Sequence, residues 1–379
     1  MRGHPVRGVL SDMPGGLMLS PTLPSAQLAR AYEKMRYRIG QLHRRMAPPP
    51  VAMMEMIMDA WAAQSITAAA DLGIADALAK SPMTADELAV AVDADADTLS
   101  RLMRALITRG IFRRRRDGRY DLTPLAETLR SDNTSSLRAL ARFLGSPQDR
   151  EHWSHVTNSI RTGRSAVEDL RGKTYFEFMS EQPEFSEIFN EAMTSMSELA
   201  IPPIIAAYDF SRYSTIVDVA GGHGRFLAAI LNSAPQARGI LFDQPHVIAG
   251  AFPLLEQHRV ADRVKLVEGS FFETVADGGD AYVLKHIIHD WPDDEAVQIL
   301  RNVRKAAGPG KQLLLVEFVI PKHDREFPGH WMDLAMHVAA GARERTAGQY
   351  GRLLQRAGFR MTGVVETVSP IGIVEAVAV

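Results

Sequence analysis

Between Thr215 and Val316, five short apolar runs alternate with stretches of helical periodicity. The runs are Ile216 to Val219, Ile240 to Phe242, Val264 to Val267, Ala281 to Leu284 and Gln312 to Val316. The helical stretches lie near Phe226 to Asn232, Pro245 to Phe252 and Asp293 to Ala307. Few folds accept that pattern. A strand apolar on nearly every residue must be covered on both faces, and parallel strands joined by helical crossovers cover it. The pattern predicts a doubly wound α/β domain whose ligand site lies at the carboxyl edge of the strands. The end differs: Phe359 to Thr367 and Gly372 to Val379, separated by Ser369-Pro370, predict a hairpin that adds an antiparallel strand to the sheet.

The chain has 379 residues, enough for a second folded unit before the sheet. Gly and Pro recur to Pro24 and Pro48-Pro49-Pro50 closes the segment, so residues 1–50 read as a flexible basic tail, with a solvated helix from Ser25 to Arg45. From Val51 to Leu78, Met54, Ile57, Met58, Trp61, Ile66, Ala69 and Leu72 keep near-helical spacing, as one helix or as two with a break. Thr84 and Glu87 form a capping-box pattern before a short helix. A second helix runs from Asp95 to Arg109, and Asp117-Gly118 joins two short strands as a hairpin. Helix, helix, hairpin predicts a winged-helix-like module over residues 51–135. Residues 136–200 read as a helical linker whose Phe, Trp and Met contribute to a pocket, and residues 201–379 as the ligand-binding domain.

The winged-helix order raises a DNA-binding reading, with Arg113 to Arg116 in the wing. The charges argue against it. Asp86, Glu87, Asp93, Asp95 and Asp97 crowd the same region, and 43 basic against 45 acidic residues give no global attraction to a polyanion. Apolar residues around Val51 to Leu78 need a partner surface, which suits a homodimer. With no cysteine, thiolate metal sites and disulfides are excluded, and a reducing cytoplasm is the expected compartment. No apolar stretch is long enough for a membrane span, and no apolar run follows the basic start, so a secretory signal is not expected.

The first strand of the α/β domain runs into Asp218-Val219-Ala220-Gly221-Gly222-His223-Gly224, a glycine-rich turn opening a helix. A dinucleotide pattern would need a third glycine where Leu227 stands, so the turn alone does not indicate NAD. Asp243 ends the next strand, where a carboxylate can accept hydrogen bonds from ribose hydroxyls. The pair points to a nucleoside ligand.

Five motifs then occur in order: Val217 to Gly224, Phe242 to Val247, Gly269 to Phe272, Leu284-Lys285-His286-Ile287-Ile288-His289-Asp290-Trp291, and Gly341 to Thr346. From about Val51 onward the chain resembles the S-adenosylmethionine-dependent small-molecule O-methyltransferases, the group of plant caffeic-acid and bacterial hydroxyindole, anthracycline and phenazine enzymes. The resemblance implies a class I methyltransferase domain, S-adenosylmethionine as methyl donor, no metal, a homodimer and a small aromatic hydroxyl acceptor. It places the cofactor on Ser197, Gly222, Asp243, Ser270, Phe271, Lys285 and Trp291. It places the acceptor near Phe189, Met193, Asp290 and Met336, with His337 close by. Two departures stand out. Ala220 replaces the family's usual glycine, at a φ expected to suit alanine, and Ser270 stands where many relatives carry an acid.

Methyl transfer from a sulfonium is an in-line displacement from an activated donor, so alignment and removal of the hydroxyl proton are the main demands. A histidine can accept that proton. The resemblance makes His289 the general base and Glu317 and Glu344 the acids that orient it and stabilise its imidazolium. His286, His289 and Asp290 do not have the spacing of a helical metal motif. Two other readings remain at this point: a cofactor-binding regulator that uses the winged helix on DNA, and a fold-sharing enzyme that does not methylate.

Overall fold

The structure, a computed structural model, describes residues 25–379. The Gly- and Pro-rich part of the expected tail lies outside the described residues. The expected helix after it runs over Ala26–Met46, capped by Ser25, and the next begins at Pro49.

Pro49–Asp71 and Ile74–Lys80 are two helices separated at Leu72-Gly73. Gly73 takes φ +66°, a conformation that glycine reaches without cost and that stops the first helix. Ala85–Ala91 carries the expected capping box between Thr84 and Glu87, and Ala96–Thr108 is capped by Asp95. Strands β1 (Phe112–Arg114) and β2 (Tyr120–Leu122) then pair antiparallel. Leu88, Leu99, Met103, Leu106 and Phe112 form the core of this module. Four of its surface arginines pair with acids: Arg101 with Asp97, Arg109 with Asp59, Arg113 with Asp121, and Arg119 with Glu87. Those pairs reduce the positive charge that a phosphate backbone would meet there.

Helices from Arg138 to Ala207 follow, the last being Pro183–Ala207. The sheet is built from β3 (Thr215–Val219), β4 (Arg238–Asp243), β5 (Val264–Glu268), β6 (Ala281–Lys285), β7 (Gln312–Ile320), β8 (Arg345–Thr346), β9 (Phe359–Glu366) and β10 (Ile371–Ala378). Its order is β5-β4-β3-β6-β7-β10-β9, with β8 beside β7. Strands β3 to β7 are parallel to one another, and β10 is antiparallel to both β7 and β9. The order reverses between β3 and β6, which opens a crevice at their carboxyl ends.

Alternate residues feed two cores. Ile216, Leu241, Val283 and Leu314 pack with the helix Arg225–Ser233, while Val217, Tyr282, Leu313 and Leu315 pack with the helices Asp293–Ala307 and Ala347–Arg356. The single helix expected over Pro245 to Phe252 is instead two, Pro245–Ile248 and Phe252–Gln257. After Ala249 the N–H groups of Gly250 and Ala251 donate to carbonyls only three residues back, which ends the first helix, and Pro253 falls in the first turn of the second, where a missing N–H costs nothing.

Gly221 is required by contact. A Cβ there would lie 2.5 Å from Leu241 Cδ1 and 2.6 Å from the Asp218 carboxylate. Gly221→Ala should therefore cost about 1–3 kcal/mol, the usual penalty of overpacking. Thermal unfolding checks it, and an unchanged midpoint would show that the turn yields to an added methyl group at little cost.

The first two helices are left largely uncovered. Leu42, Met46, Ile57 and Trp61 are 62%, 78%, 67% and 70% exposed. No described helix is long and apolar enough to cross a membrane.

Candidate functional site

The crevice begins at the turn after β3. Gly222 has φ +61°, and nothing stands within 4 Å of where its Cβ would be, so a ligand can reach the backbone. Its N–H donates to Asp243 Oδ2 at 2.8 Å, while Asp243 Oδ1 accepts from the Gln244 N–H at 2.7 Å. The two sequence-predicted residues are thus joined at one mouth. Ala220 has φ +57°, in the left-handed region, so the expectation of an easy φ is not met. That conformation costs alanine about 1–2 kcal/mol.

Beneath the turn, Asp218 is buried and its Oδ2 has no hydrogen-bond partner among the described residues. Burial pushes its carboxyl up to about 7, against the pull of Lys285. Burial also draws the Lys285 ammonium below its ordinary range, opposed by Asp218 and Glu317. Lys285 ends β6, so β3 and β6 bring these opposite charges to the crevice floor. Ser197 lies on Pro183–Ala207, beside Glu198, which pairs with Arg225 at the start of the helix after the turn. On the other side Phe271 and Trp291 meet edge-on at 6.0 Å. Phe272, which the sequence reading did not single out, lies nearer to Trp291, at 4.7 Å. Ser270 Oγ accepts from the Phe272 N–H at 3.3 Å.

His289 sits in the turn Ile288–Asp290 after β6, almost fully buried. Its Nδ1 lies 2.8 Å from Glu344 Oε1 and 3.7 Å from Glu317 Oε2, and its Nε2 lies 3.4 Å from Asp290 Oδ1. With Nδ1 engaged by Glu344, Nε2 is the nitrogen left to exchange a proton. Burial alone would lower the imidazole, but Glu317, Asp290 and Glu344 outweigh it and push it up to about 10. Burial raises Glu344 to about 7 and Asp290 to about 6. The surrounding carboxylates thus favour the imidazolium form of His289.

The two expected acids have different tasks. Glu344 touches the imidazole directly. Glu317, fully buried on β7, accepts the N–H groups of Ile287 and Ile288 at 3.2 and 2.9 Å and so fixes the turn that carries His289. Arg345, which sequence reasoning also missed, clamps the same turn. It donates to the carbonyls of Ile288 and Trp291, each at 2.7 Å, and to Asp293 Oδ1 at 2.9 Å. Its only sequence signal was its place beside Glu344.

Of the expected acceptor residues, Phe189 joins an aromatic group, at 5.3 Å from Phe143 and 6.1 Å from Tyr175. Met193 on the same helix is exposed. Met336 and His337 lie on Pro328–Ala340, which packs against the Ile288–Asp290 turn. His286, His289 and Glu317 place ligating atoms within 4.8 Å of one another. His286 has φ +55° and is drawn by burial to about 4, so it is neutral.

Residues 153–360 match the O-methyltransferase domain family, and residues 54–132 match the O-methyltransferase dimerisation domain family. The chain is 41% identical over 324 residues to the phenazine O-methyltransferase PhzM of Lysobacter antibioticus, covering 86% of this chain and 95% of that one. It is 36% identical over 323 residues to a mitomycin biosynthesis 6-O-methyltransferase of Streptomyces lavendulae, covering 85% and 92%. Its fold is similar, with a TM-score of 0.71 and 33% identity, to an O-methyltransferase from neocarzinostatin biosynthesis solved with S-adenosylmethionine and 2-hydroxy-5-methyl naphthoic acid, over 84% of this chain and 96% of that one.

Proposed function

Because this chain belongs to the S-adenosylmethionine-dependent O-methyltransferases, we propose that it methylates a hydroxyl of a small aromatic acceptor with His289 as general base. The observation that carries the base assignment is the 2.8 Å contact between His289 Nδ1 and Glu344, which leaves Nε2 for the acceptor proton.

When bound, S-adenosylmethionine supplies an activated methyl on a cationic sulfur. The residues of the crevice fit such a ligand. Gly222 offers an open backbone, Asp243 two partly used carboxylate oxygens, and Phe271 and Trp291, beside Ser270, a wall for a flat base. Lys285 and Ser197 face the methionyl end. The surplus of Asp218, Asp290, Glu317 and Glu344 over Lys285 suits a cation. His289 is then expected to titrate lower than in the free protein, toward the neutral form that a base requires.

Phe189, Met193 and Met336 supply apolar contact for the acceptor, and Asp290 borders its reacting end. The exposed apolar faces of the first two helices, together with the dimerisation match, support a homodimer built through residues 51–135 as a winged-helix-like module. Residues 136–200 then contribute to the pocket and residues 201–379 hold the cofactor. A cytoplasmic location suits a cysteine-free chain of this kind.

The test is incubation of the protein with methyl-labelled S-adenosylmethionine and a panel of naphthols, phenazinols and hydroxyquinones. Labelled ether and S-adenosylhomocysteine in equal amounts are the expected products. Cofactor binding without transfer to any of them would favour a non-methylating role.

A further inference from the structure

The helix Ala26–Met46 has 21 residues, and not one of them is buried. A helix in a protein draws most of its stability from packing an apolar face, so this one calls for a cover beyond the core of its own chain. One side is accounted for. Ala29 and Tyr37, partly buried, face a cavity of about 550 Å³ at the edge of the chain's own sheet, and Arg30 pairs with Glu366 on β9. The opposite side is a seam. Leu28, Tyr32, Met35, Ile39, Leu42 and Met46 follow one another at intervals of four, three, four, three and four residues, and all six are exposed. At about 3.6 residues per turn that spacing keeps them in one narrow stripe, the pattern of a seam against another helix rather than the broader face that covers a domain core.

The charges beside a seam decide which helix it accepts. Here Arg36 and His43 border it on one side and Arg38 and Arg45 on the other, and Ala26–Met46 as a whole carries six Lys or Arg against one Glu. Two copies of this helix laid together would set like charges across the contact. The next helix is its complement. Pro49–Asp71 holds Glu55, Asp59 and Asp71 with no basic residue, and its first buried residue is Thr67. Val51, Met54, Ile57, Met58 and Trp61 stand exposed along one side of its first half, with Glu55 exposed beside them. Within one chain both faces are bare, so the two helices do not cover each other. The dimerisation-domain match begins at residue 54, inside the acidic-flanked face, and leaves Ala26–Met46 outside it.

We propose that the seam of Ala26–Met46 docks on the exposed first half of Pro49–Asp71 in a second copy of this chain, its basic flank toward Glu55 of the partner subunit. A two-fold axis makes the contact reciprocal, so each dimer contains it twice. The proposal rests on the homodimer reading and extends the interface to a helix that the dimerisation match does not reach. Apolar side chains supply the affinity, and the opposite charges select the neighbouring helix over a second copy of the seam.

The experiment measures dimer dissociation of the full-length protein by sedimentation equilibrium. Ile39→Asp with Leu42→Asp, at positions that belong to no core of their own chain, should raise the dissociation constant about 100-fold or more. Arg36→Glu with Arg38→Glu should raise it about tenfold, and adding Glu55→Lys should recover part of that loss. Because the chain has no cysteine, Ile39→Cys in one tagged chain and Ile57→Cys in a second, co-expressed chain report the pairing directly, through a disulfide that joins the two tags. The cysteine pair changes no charge and stays informative if the aspartates disturb the helix. A disulfide between two Ile39→Cys chains with none to Ile57→Cys would mean that the seam pairs with itself, which overturns the proposal. A dimer that the aspartates leave intact overturns it too, and loss of binding to phosphatidylglycerol vesicles in the same variant would then assign the stripe to a lipid surface. A wild type that stays monomeric at micromolar concentration removes the homodimer reading itself, whereas an intact dimer without the cross-link removes only the seam.

Discussion

His289→Ala should lower kcat by roughly 10²–10⁴-fold, the range spanned by loss of a positioned general base, while affinity for S-adenosylhomocysteine stays nearly unchanged. The split follows from the geometry. His289 meets Glu344 at Nδ1 and shares its turn with Asp290, whereas Gly222, Asp243, Ser270 and Phe271, assigned to the cofactor, lie at or just after the ends of β3, β4 and β5. The alanine variant keeps Glu317 on the amides of Ile287 and Ile288, so the turn itself should persist. The pH profile gives a second readout. Because carboxylates hold the imidazole up to about 10 in the free protein, the unprotonated base becomes more abundant as pH rises, and kcat/KM should rise with it. Glu344→Gln withdraws a charge that favours the imidazolium, so the rise should move to lower pH and the plateau should fall. Equal turnover in His289→Ala would take the residue out of the mechanism, and a profile untouched by Glu344→Gln would unlink the two.

How much of this could be read from residues alone depended on whether the signal was local. The strands of the sheet were legible because five apolar runs admit few folds, and the cap at Thr84 because its partner Glu87 is three residues away. Asp243 was legible through its place at a strand end. Residues that act across the fold were not. Arg345 owes its role to β8 lying beside β7, which carries a buried guanidinium back to the carbonyls of Ile288 and Trp291, 57 and 54 positions earlier. His152 looked like an ordinary polar position on a short helix. Only the packing of Tyr175 and Phe178 against it shows that it is enclosed. Ala220 shows a different limit, since composition does not report φ. The turn keeps a left-handed conformation although the residue there is not glycine, and His286 does the same at the other side of the crevice. Such strain persists where the surroundings over-determine the backbone, and both positions flank the candidate site.

Asp243→Ala should weaken S-adenosylhomocysteine binding by about 1.5–3 kcal/mol, roughly 10–150-fold, the contribution expected of hydrogen bonds to a charged group. The carboxylate is well prepared for the task. Each oxygen already accepts one backbone N–H, from Gly222 at 2.8 Å and Gln244 at 2.7 Å, so its orientation is fixed before any ligand arrives. Each oxygen keeps a second lone pair, and two adjacent ribose hydroxyls are the natural donors for that pair of sites. Part of the loss would come through the turn, because Gly222 gives up its acceptor when the carboxylate is removed. Asp243→Asn separates the two contributions. Its amide oxygen can still accept from Gly222, but its NH₂ faces hydroxyl groups without the negative charge that strengthens those bonds. An intermediate loss in Asp243→Asn would apportion the effect between turn and ligand. A loss as large as that of alanine would assign it to the ribose contact. Turnover at saturating cofactor should change little in either variant, since the reacting oxygen lies at His289. Unchanged affinity in Asp243→Ala would mean that the nucleoside is held elsewhere in the crevice, and the joining of Gly222 to Asp243 would then be a feature of the turn alone.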